Sequence, residues 1–510
     1  MGLSPAGPVD LYKYSLPSTP EAAAARCPVR APCANSPHAL PRSWRGNPIG
    51  PHCRMTAPGK LRVAVIGAGA AGLCAARHLA ARPESFAPPV VFEASGRIGG
   101  TWVYTEETGQ GPDGLPICSS MYRDLRTNLP KEVMAFPDFP FDPSLPSFLH
   151  HSHVLAYLER YADHFGVREH IRFWWLVDAV SPAEGAEGGW DVTACRAQDR
   201  TVQTTERFDA VLVCTGHYAD PFVPPIPGLE TFPGRLLHSH EYRCPEPFAG
   251  RTVVLLGAGP SGVDLTLQLA PLARRVILSH RQPPLPGLPG NVLQAAPVVG
   301  VAGPTVQFED GAEHRADVLI LCTGYRYGFP FLAPARLGLR LTDHTVTPLY
   351  QHLLLPRHPG LFFIGLCQQI CPFPHFHCQL LFCLAVLAGT CRLPPAAELQ
   401  AAAEGELRQH LGAPQHFHRL GGRQWGYCQE LARLGGFEPL PPVLRKIYEA
   451  TGASRSQDVS RYRSLSYRVL SAEEWELVGA EPGGAVHKGG SPRGAGGNGD
   501  GAPSPAAALG

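Results

Sequence analysis

The chain has 510 residues, and its 44 Lys and Arg against 43 Asp and Glu leave a formal net charge of +1 and a pI near 7.6. That balance gives no electrostatic footprint for nucleic acid, while the length allows two or three domains with large cores. Fifteen cysteines, an odd number scattered through apolar runs without a Cys-x-x-Cys pair, read as core residues of a reducing compartment rather than as a disulfide framework.

Residues 1–59 are rich in Pro and Ala, and Arg26, Arg30, Arg42, Arg45 and Arg54 outnumber Asp10 and Glu21. The composition suits a disordered extension, with Met55 as a second possible start, or a transit peptide. A first nucleotide cradle follows. Val63 to Ile66 is predicted as a strand, Gly67-Ala68-Gly69-Ala70-Ala71-Gly72 as a turn, Ala71 to Ala80 as a helix and Val90 to Phe92 as the next strand. In that context the glycines permit a tight turn and bring a pyrophosphate onto the helix N-terminus. Glu93 ends the second strand, where a carboxylate accepts hydrogen bonds from a ribose. Gly99-Gly100-Thr101-Trp102 comes next, then Tyr122 to Glu132 with Thr127-Asn128-Leu129 at its centre. His150, His151 and His153 lack an acid or Cys at ligand spacing and read as a solvated helix start. Val154 to Phe165 has the pattern of an amphipathic helix.

Residues 171–214 read as strands and turns ending in Cys214-Thr215-Gly216, echoed later by Cys322-Thr323-Gly324. Between the copies lies a second cradle. A strand from Val253 to Leu256 enters Gly257-x-Gly259-x-Ser261-Gly262-Val263-Asp264, and a second strand through Val276 and Ile277 ends at Ser279-His280-Arg281. A hydroxyl and a guanidinium stand there instead of an acid. Arg pairs with phosphate through its fork of donors, so this cradle reads as NADP-type. Gly360 to Gly365 suggests a further strand, Gln379 to Leu387 a helix, and 395 to about 450 a set of C-terminal helices. Cys378-x-x-x-x-Cys383 has a redox-dithiol spacing but lies far from either cradle. Cys378 to Gly389 is too short to span a membrane and reads as a buried helix. His375 and His377 flank that helix start and read as an ordinary polar cap as readily as a ligand contact.

Just before the second cradle stands Phe232-x-Gly234-x-x-x-His238-x-x-x-Tyr242. With that stretch the chain resembles the flavin-containing monooxygenase family, in its form without a C-terminal hydrophobic anchor. The stretches Glu93-x(5)-Gly99-Gly100-Thr101-Trp102, Thr127-Asn128-Leu129-Pro130-Lys131-Glu132 and Cys322-Thr323-Gly324-Tyr325 are also similar to the family's, with Cys322 where the family has Ala. The resemblance covers about 61 to 450. It implies an α/β fold with two dinucleotide-binding, Rossmann-like domains, the NADPH domain (218–322) inserted in an FAD domain (60–217 and 323–450). Residues 451–510 are then a C-terminal extension, disordered from about 480.

The opposite charges of Glu93 and Arg281 suit FAD in the first cradle and NADPH in the second. The resemblance implies that NADPH reduces FAD and that O2 gives a C4a-hydroperoxyflavin, shielded by NADP and Asn128. A soft nucleophilic sulfur or nitrogen of a small molecule then takes up the distal oxygen. Asn128 is the catalytic candidate, and a neutral amide can donate to a peroxide without supplying an acidic proton. His238 and Tyr242 set domain geometry rather than react. The alternatives are a Baeyer–Villiger monooxygenase, disfavoured by Tyr242 where that class usually has Trp, and an NADPH oxidase producing hydrogen peroxide. A non-catalytic sensor is a third, disfavoured because both glycine fingerprints are intact. No metal is expected, and the localisation is expected to be cytoplasmic, with organellar import through residues 1–54 left open.

Overall fold

The structure, a computed structural model, describes residues 59–478 apart from 112–113, 185–187 and 411. The readings of the N-terminal extension and of the tail beyond 478 lie outside those residues. Two five-stranded parallel sheets organise the chain. The first runs in the order Leu361–Phe363, Ala210–Val213, Val63–Ile66, Val90–Glu93, Ile171–Phe173. The second runs Val292–Ala295, Arg275–Ser279, Thr252–Leu256, Val318–Leu321, Arg235–His238.

The central strands are apolar throughout because both faces of each sheet are covered. Val63–Ile66 and Ala210–Val213 are buried at every position. One face of the first sheet meets the helices Ala70–Ala80, His151–His164 and Pro372–Leu387 in a core that includes Leu73, Leu79, Tyr157 and Phe373. The other face is covered through Trp190, Val192 and Phe208 of an antiparallel meander, Trp175–Pro182, Trp190–Arg196 and Gln203–Phe208. In the second sheet the helix Pro260–Leu269 packs Val263, Leu265 and Leu269 against one face, and the three-stranded sheet through Val298–Ala302, Thr305–Phe308 and Glu313–Arg315 supplies Val301, Val306 and Phe308 to the other. In each sheet the strand that feeds the glycine turn is central, and the chain crosses to opposite sides of it. That is the switch point at which α/β sheets bind ligands beyond the carboxyl ends of their strands.

Several local expectations need correction. The helix predicted from Val154 begins at His151, with His150 as its N-cap, and His151 is buried rather than solvated. The rings of His150 and His151 both donate to the carbonyl of Arg123, and His153 is exposed. The helix predicted from Gln379 begins at Pro372, a residue preset for a first turn. His375 lies inside its first turn, 1% exposed and stacked on Tyr427, so it is no polar cap. Among the described residues no helix is long and apolar enough to cross a membrane, and every cysteine is free, Cys378 and Cys383 both buried.

Candidate active site

The two cradles are built on the same contacts. Gly67 has φ +101°, and a Cβ there would sit 2.8 Å from the carbonyl oxygen of Cys214. Gly257 has φ +104° and would meet the carbonyl of Cys322 at 2.6 Å. Only glycine fits either place. The Cys-Thr-Gly echo therefore has a structural cause, since each copy delivers the carbonyl that closes over the first glycine of a cradle. The third glycines match as well. A Cβ on Gly72 or Gly262 would lie 1.8 Å from the carbonyl oxygen of Gly67 or Gly257.

The middle glycines differ in their surroundings. Gly259 has φ −70°, and a Cβ there would meet nothing within 4 Å. Gly69, with φ −74°, faces the Cα of Gly100 at 3.7 Å, which sets Gly99-Gly100-Thr101-Trp102 along the rim of the first cradle. The first helix bonds run from Leu73 to Gly69 and from Val263 to Gly259. The N–H groups of Ala70, Ala71 and Gly72, and of Ser261 and Gly262, stay outside the helix ladder and offer donors to an anion. Val263 spends its N–H in the helix and its side chain in the core, so it supports the cradle from behind.

The strand-end residues differ in availability. Glu93 accepts from the N–H of Ala68 at 2.8 Å and from Ser95 N–H and hydroxyl at 2.9 and 2.7 Å, which orients the carboxylate across the turn. Ser279 does not face a phosphate. Its hydroxyl donates to the carbonyl of Ala296 at 2.8 Å and accepts from Val298 N–H at 3.1 Å, because the chain turns back there to start another strand. Arg281 is exposed and has no hydrogen bond or ion pair among the described residues. Asp264 is not at the cradle mouth either. It is buried behind the helix, accepting from the hydroxyl of Tyr122 and paired with Arg463 at 2.5 Å.

The segment around Asn128 is fixed at both ends. Thr127 is buried, with its N–H on Leu149 carbonyl at 2.8 Å and its hydroxyl accepting from Leu149 N–H at 2.9 Å. Lys131 and Glu132 form a buried ion pair at 2.5 Å, and Ser147 donates to the same carboxylate at 3.1 Å. Leu129 packs between two cores. Asn128 is partly buried, and its carboxamide has no hydrogen-bond partner among the described residues, so it does not cap a turn. Trp102 is partly exposed and meets Phe373 edge-on at 6.4 Å, while Thr101 is exposed and its carbonyl accepts from Ser119.

The stretch Phe232 to Tyr242 also has a physical reading. A Cβ on Gly234 would meet Asp317 carbonyl at 2.4 Å and the Phe232 ring at 2.7 Å. His238 caps the short turn Ser239–Glu241, accepting from His240 N–H at 3.1 Å while Glu241 returns a bond to its own N–H. Burial pushes the His238 imidazole down to about 4. Tyr242 is buried edge-on to Tyr122 and donates to Gln268 on the second cradle's helix at 3.1 Å. His240 donates to Ile117 carbonyl at 2.9 Å, and Arg243 reaches the carbonyls of Glu107 and Ser119 at 3.1 and 3.3 Å. The stretch thus ties the second sheet to the loop beyond Trp102. Tyr122, His240, Arg243 and Arg463 were not singled out from sequence. Their partners are carbonyls or distant side chains, and only the adjacency of Tyr122 to the Thr127–Glu132 segment hinted at a role.

One further cluster invites a metal reading. Cys74, His78 and His377 have ligand atoms within 4.8 Å of one another. Arg77 donates to His78 Nδ1 at 3.2 Å, which puts the proton on Nε2, and Nε2 donates to His377 Nδ1 at 3.1 Å. That chain consumes the imidazole lone pairs a cation needs, and the charges of Arg77 and Arg82 oppose one.

A sequence profile described as flavin-binding monooxygenase-like matches residues 60–285 and 284–440. The chain belongs to that family. A flavin-containing monooxygenase of Arabidopsis thaliana, FMO GS-OX4, is 39% identical over 405 residues, covering 74% of this chain and 84% of that protein. A senecionine N-oxygenase of Tyria jacobaeae is 31% identical over 431 residues, 81% and 91% of the two chains. The solved S-allyl-L-cysteine S-oxygenase of Allium sativum superposes with a TM-score of 0.73 at 34% identity, covering 79% of this chain and 95% of its own. This flavin monooxygenase therefore uses FAD and NADPH. The two turns fit such groups, with free helix N–H donors and, at Gly259, open space where a pyrophosphate must approach the backbone.

Proposed function

We propose that this monooxygenase uses NADPH and O2 to oxygenate a soft nucleophilic sulfur or nitrogen of a small molecule, giving an S- or N-oxide and water. The observation that carries the reading is Asn128, a partly buried carboxamide on a segment anchored on both sides, with no hydrogen-bond partner among the described residues. The printed activities of the relatives, S-oxygenation of S-allyl-L-cysteine and N-oxygenation of senecionine, support this substrate class.

When bound, FAD supplies the hydride acceptance and oxygen activation that no side chain here provides. The protein's share is placement and shielding. The N–H groups of Ala70, Ala71 and Gly72 would hold the flavin nucleotide's pyrophosphate, and Glu93 its ribose. Ser261 and Gly262, on the turn that Gly257 makes possible, would hold that of NADPH, and Arg281 would take its 2′-phosphate as a planar donor. Asn128 offers a neutral donor to the oxygen being transferred, with no acidic proton to discharge it to water. Trp102 and Leu129 screen the flavin side, and Thr127 holds Asn128 in register.

The test is turnover under 18O2 with NADPH and two probes, a small aryl thioether and a tertiary amine. One labelled oxygen atom per product, matched to NADPH consumed, is expected. Stoichiometric hydrogen peroxide with no labelled product from either probe would make the protein an NADPH oxidase and remove the role given to Asn128.

A further inference from the structure

The C-terminal segment touches both nucleotide-binding units at once. Its helix Pro442–Gln457 sets Val443, Ile447 and Tyr448 against Val133 and Phe148, beneath the Thr127–Glu132 segment. Val459 then enters the core of the second unit beside Tyr122 and Tyr242, with its N–H on Pro286 carbonyl at 3.2 Å. Asp458 lies so close to Gly287 that a Cβ there would meet its Oδ1 at 2.2 Å. Tyr467 returns to the first unit, its N–H on Ser147 Oγ at 2.8 Å.

Arg463 stands at the junction. Its Nη1 lies 2.5 Å from Asp264 Oδ1, and its Nε donates to the carbonyl of Thr127 at 3.0 Å. Both charged side chains are largely buried, at 16% and 8% exposure. The other Asp264 oxygen takes the hydroxyl of Tyr122. Thr127 immediately precedes Asn128, and Asp264 is two residues past Gly262 on the helix whose first turn is the second cradle. One guanidinium therefore spans from the oxygen-side amide to the NADPH-side helix.

We propose that Arg463 is a positioning residue of the oxygenation reaction, fixing the second cradle at a set distance from Asn128 and so setting the share of NADPH that ends in product rather than peroxide. The inference rests on the reading of Asn128 given above. The fork of a guanidinium is planar and rigid, so satisfying two acceptors on different elements fixes their separation. A lysine ammonium is a point charge that holds Asp264 without the second bond. The reacting geometry is sensitive at the scale of about 1 Å, where misplacement costs up to about a hundredfold.

The experiment measures peroxide formed per NADPH oxidised, normalised to bound FAD, with the thioether probe in excess, for the holoenzyme and for R463K, R463Q and the neutral pair D264N/R463Q. A purely structural Arg463 lowers the unfolding temperature and the flavin-bound fraction but leaves that ratio alone in the molecules that keep flavin. A positioning Arg463 raises the ratio roughly three- to thirtyfold in R463Q, with R463K in between. A wild-type ratio in every variant that holds flavin overturns the inference, as does loss of flavin from all three. If the unsubstituted enzyme itself gives peroxide and no oxygenated probe, the underlying reading fails instead, and the two failures are told apart by that control.

Discussion

Gly259→Ala is a clean probe of the second cradle because the protein itself does not object to it. The residue has φ −70°, an ordinary value for alanine, and its Cβ would meet no protein atom within 4 Å. Alanine is a slightly poorer N-cap than glycine but costs less chain entropy on folding, so the net change in stability is within about 1 kcal/mol. For NADPH the methyl group stands where the pyrophosphate approaches the backbone. Moving that group by about 1 Å weakens binding on the order of a hundredfold, or ~2.7 kcal/mol. Gly262→Ala is the contrast. Its Cβ would lie 1.8 Å from the Gly257 carbonyl oxygen, which must retreat by about 1.2 Å even to reach 3.0 Å. That rebuilds the turn itself and destabilises the protein. The assay is anaerobic reduction of bound FAD across NADPH concentrations, beside thermal unfolding of the flavin-bound enzyme. G259A is expected to keep its flavin and its unfolding temperature, with the NADPH concentration for half-maximal reduction raised about a hundredfold. Unchanged half-saturation in G259A would refute the assignment of this turn to NADPH.

The remaining predictions use the same structure. Arg281→Gln is expected to cut the preference for NADPH over NADH by about tenfold or more in steady-state kcat/KM, whereas Ser279→Ala leaves it unchanged because that hydroxyl serves the backbone of Ala296 and Val298. Glu132→Gln leaves Lys131 as a buried unpaired charge and should cost about 3–5 kcal/mol in urea unfolding, while K131M/E132Q costs markedly less. Burial pushes His238 down to about 4 and His375 down to about 3. Their ordinary value of 6.5 returns on unfolding, so the stability they contribute is whole above that pH and is lost as pH falls through the window from 6.5 to 4 and 3. Between pH 7 and 5 each should remove about 2 kcal/mol from the unfolding free energy, and His375→Gln should remove its share of that slope.

Both cradles were legible in the sequence because their requirements are local. Gly67 and Gly257 need a left-handed backbone, Gly72 and Gly262 need absent side chains, and the strand before each turn is apolar from end to end. The segment Thr127 to Glu132 was picked out through its likeness to the family's stretch, since the contacts that hold it, to Leu149 and Ser147, lie outside its own residues. Ser279 was misread because its environment depends on a turn-back into Val292–Ala295 and Val298–Ala302 that the local pattern does not reveal. Asp264 was misread because position on a helix fixes a face but not what lies against it. Its partner Arg463 is 199 residues away in sequence. The histidines were read as a helix start, and His153 is exposed as expected, but the burial of His151 was missed because it depends on the carbonyl of Arg123, 28 residues earlier.

The strand order of the first sheet has a consequence for biosynthesis. All five strands of the second sheet lie between residues 235 and 321, so they leave the ribosome as an unbroken set. The first sheet must wait for Leu361–Phe363, which pairs along Ala210–Val213. Until it arrives, a fully apolar strand presents one row of unpaired N–H and C=O groups as an open template for another chain. A nascent or truncated chain ending between about 322 and 360 therefore carries all five strands of the second sheet and a first sheet with an adhesive edge. Low temperature and early supply of flavin are the conditions under which recombinant enzyme should escape inclusion bodies.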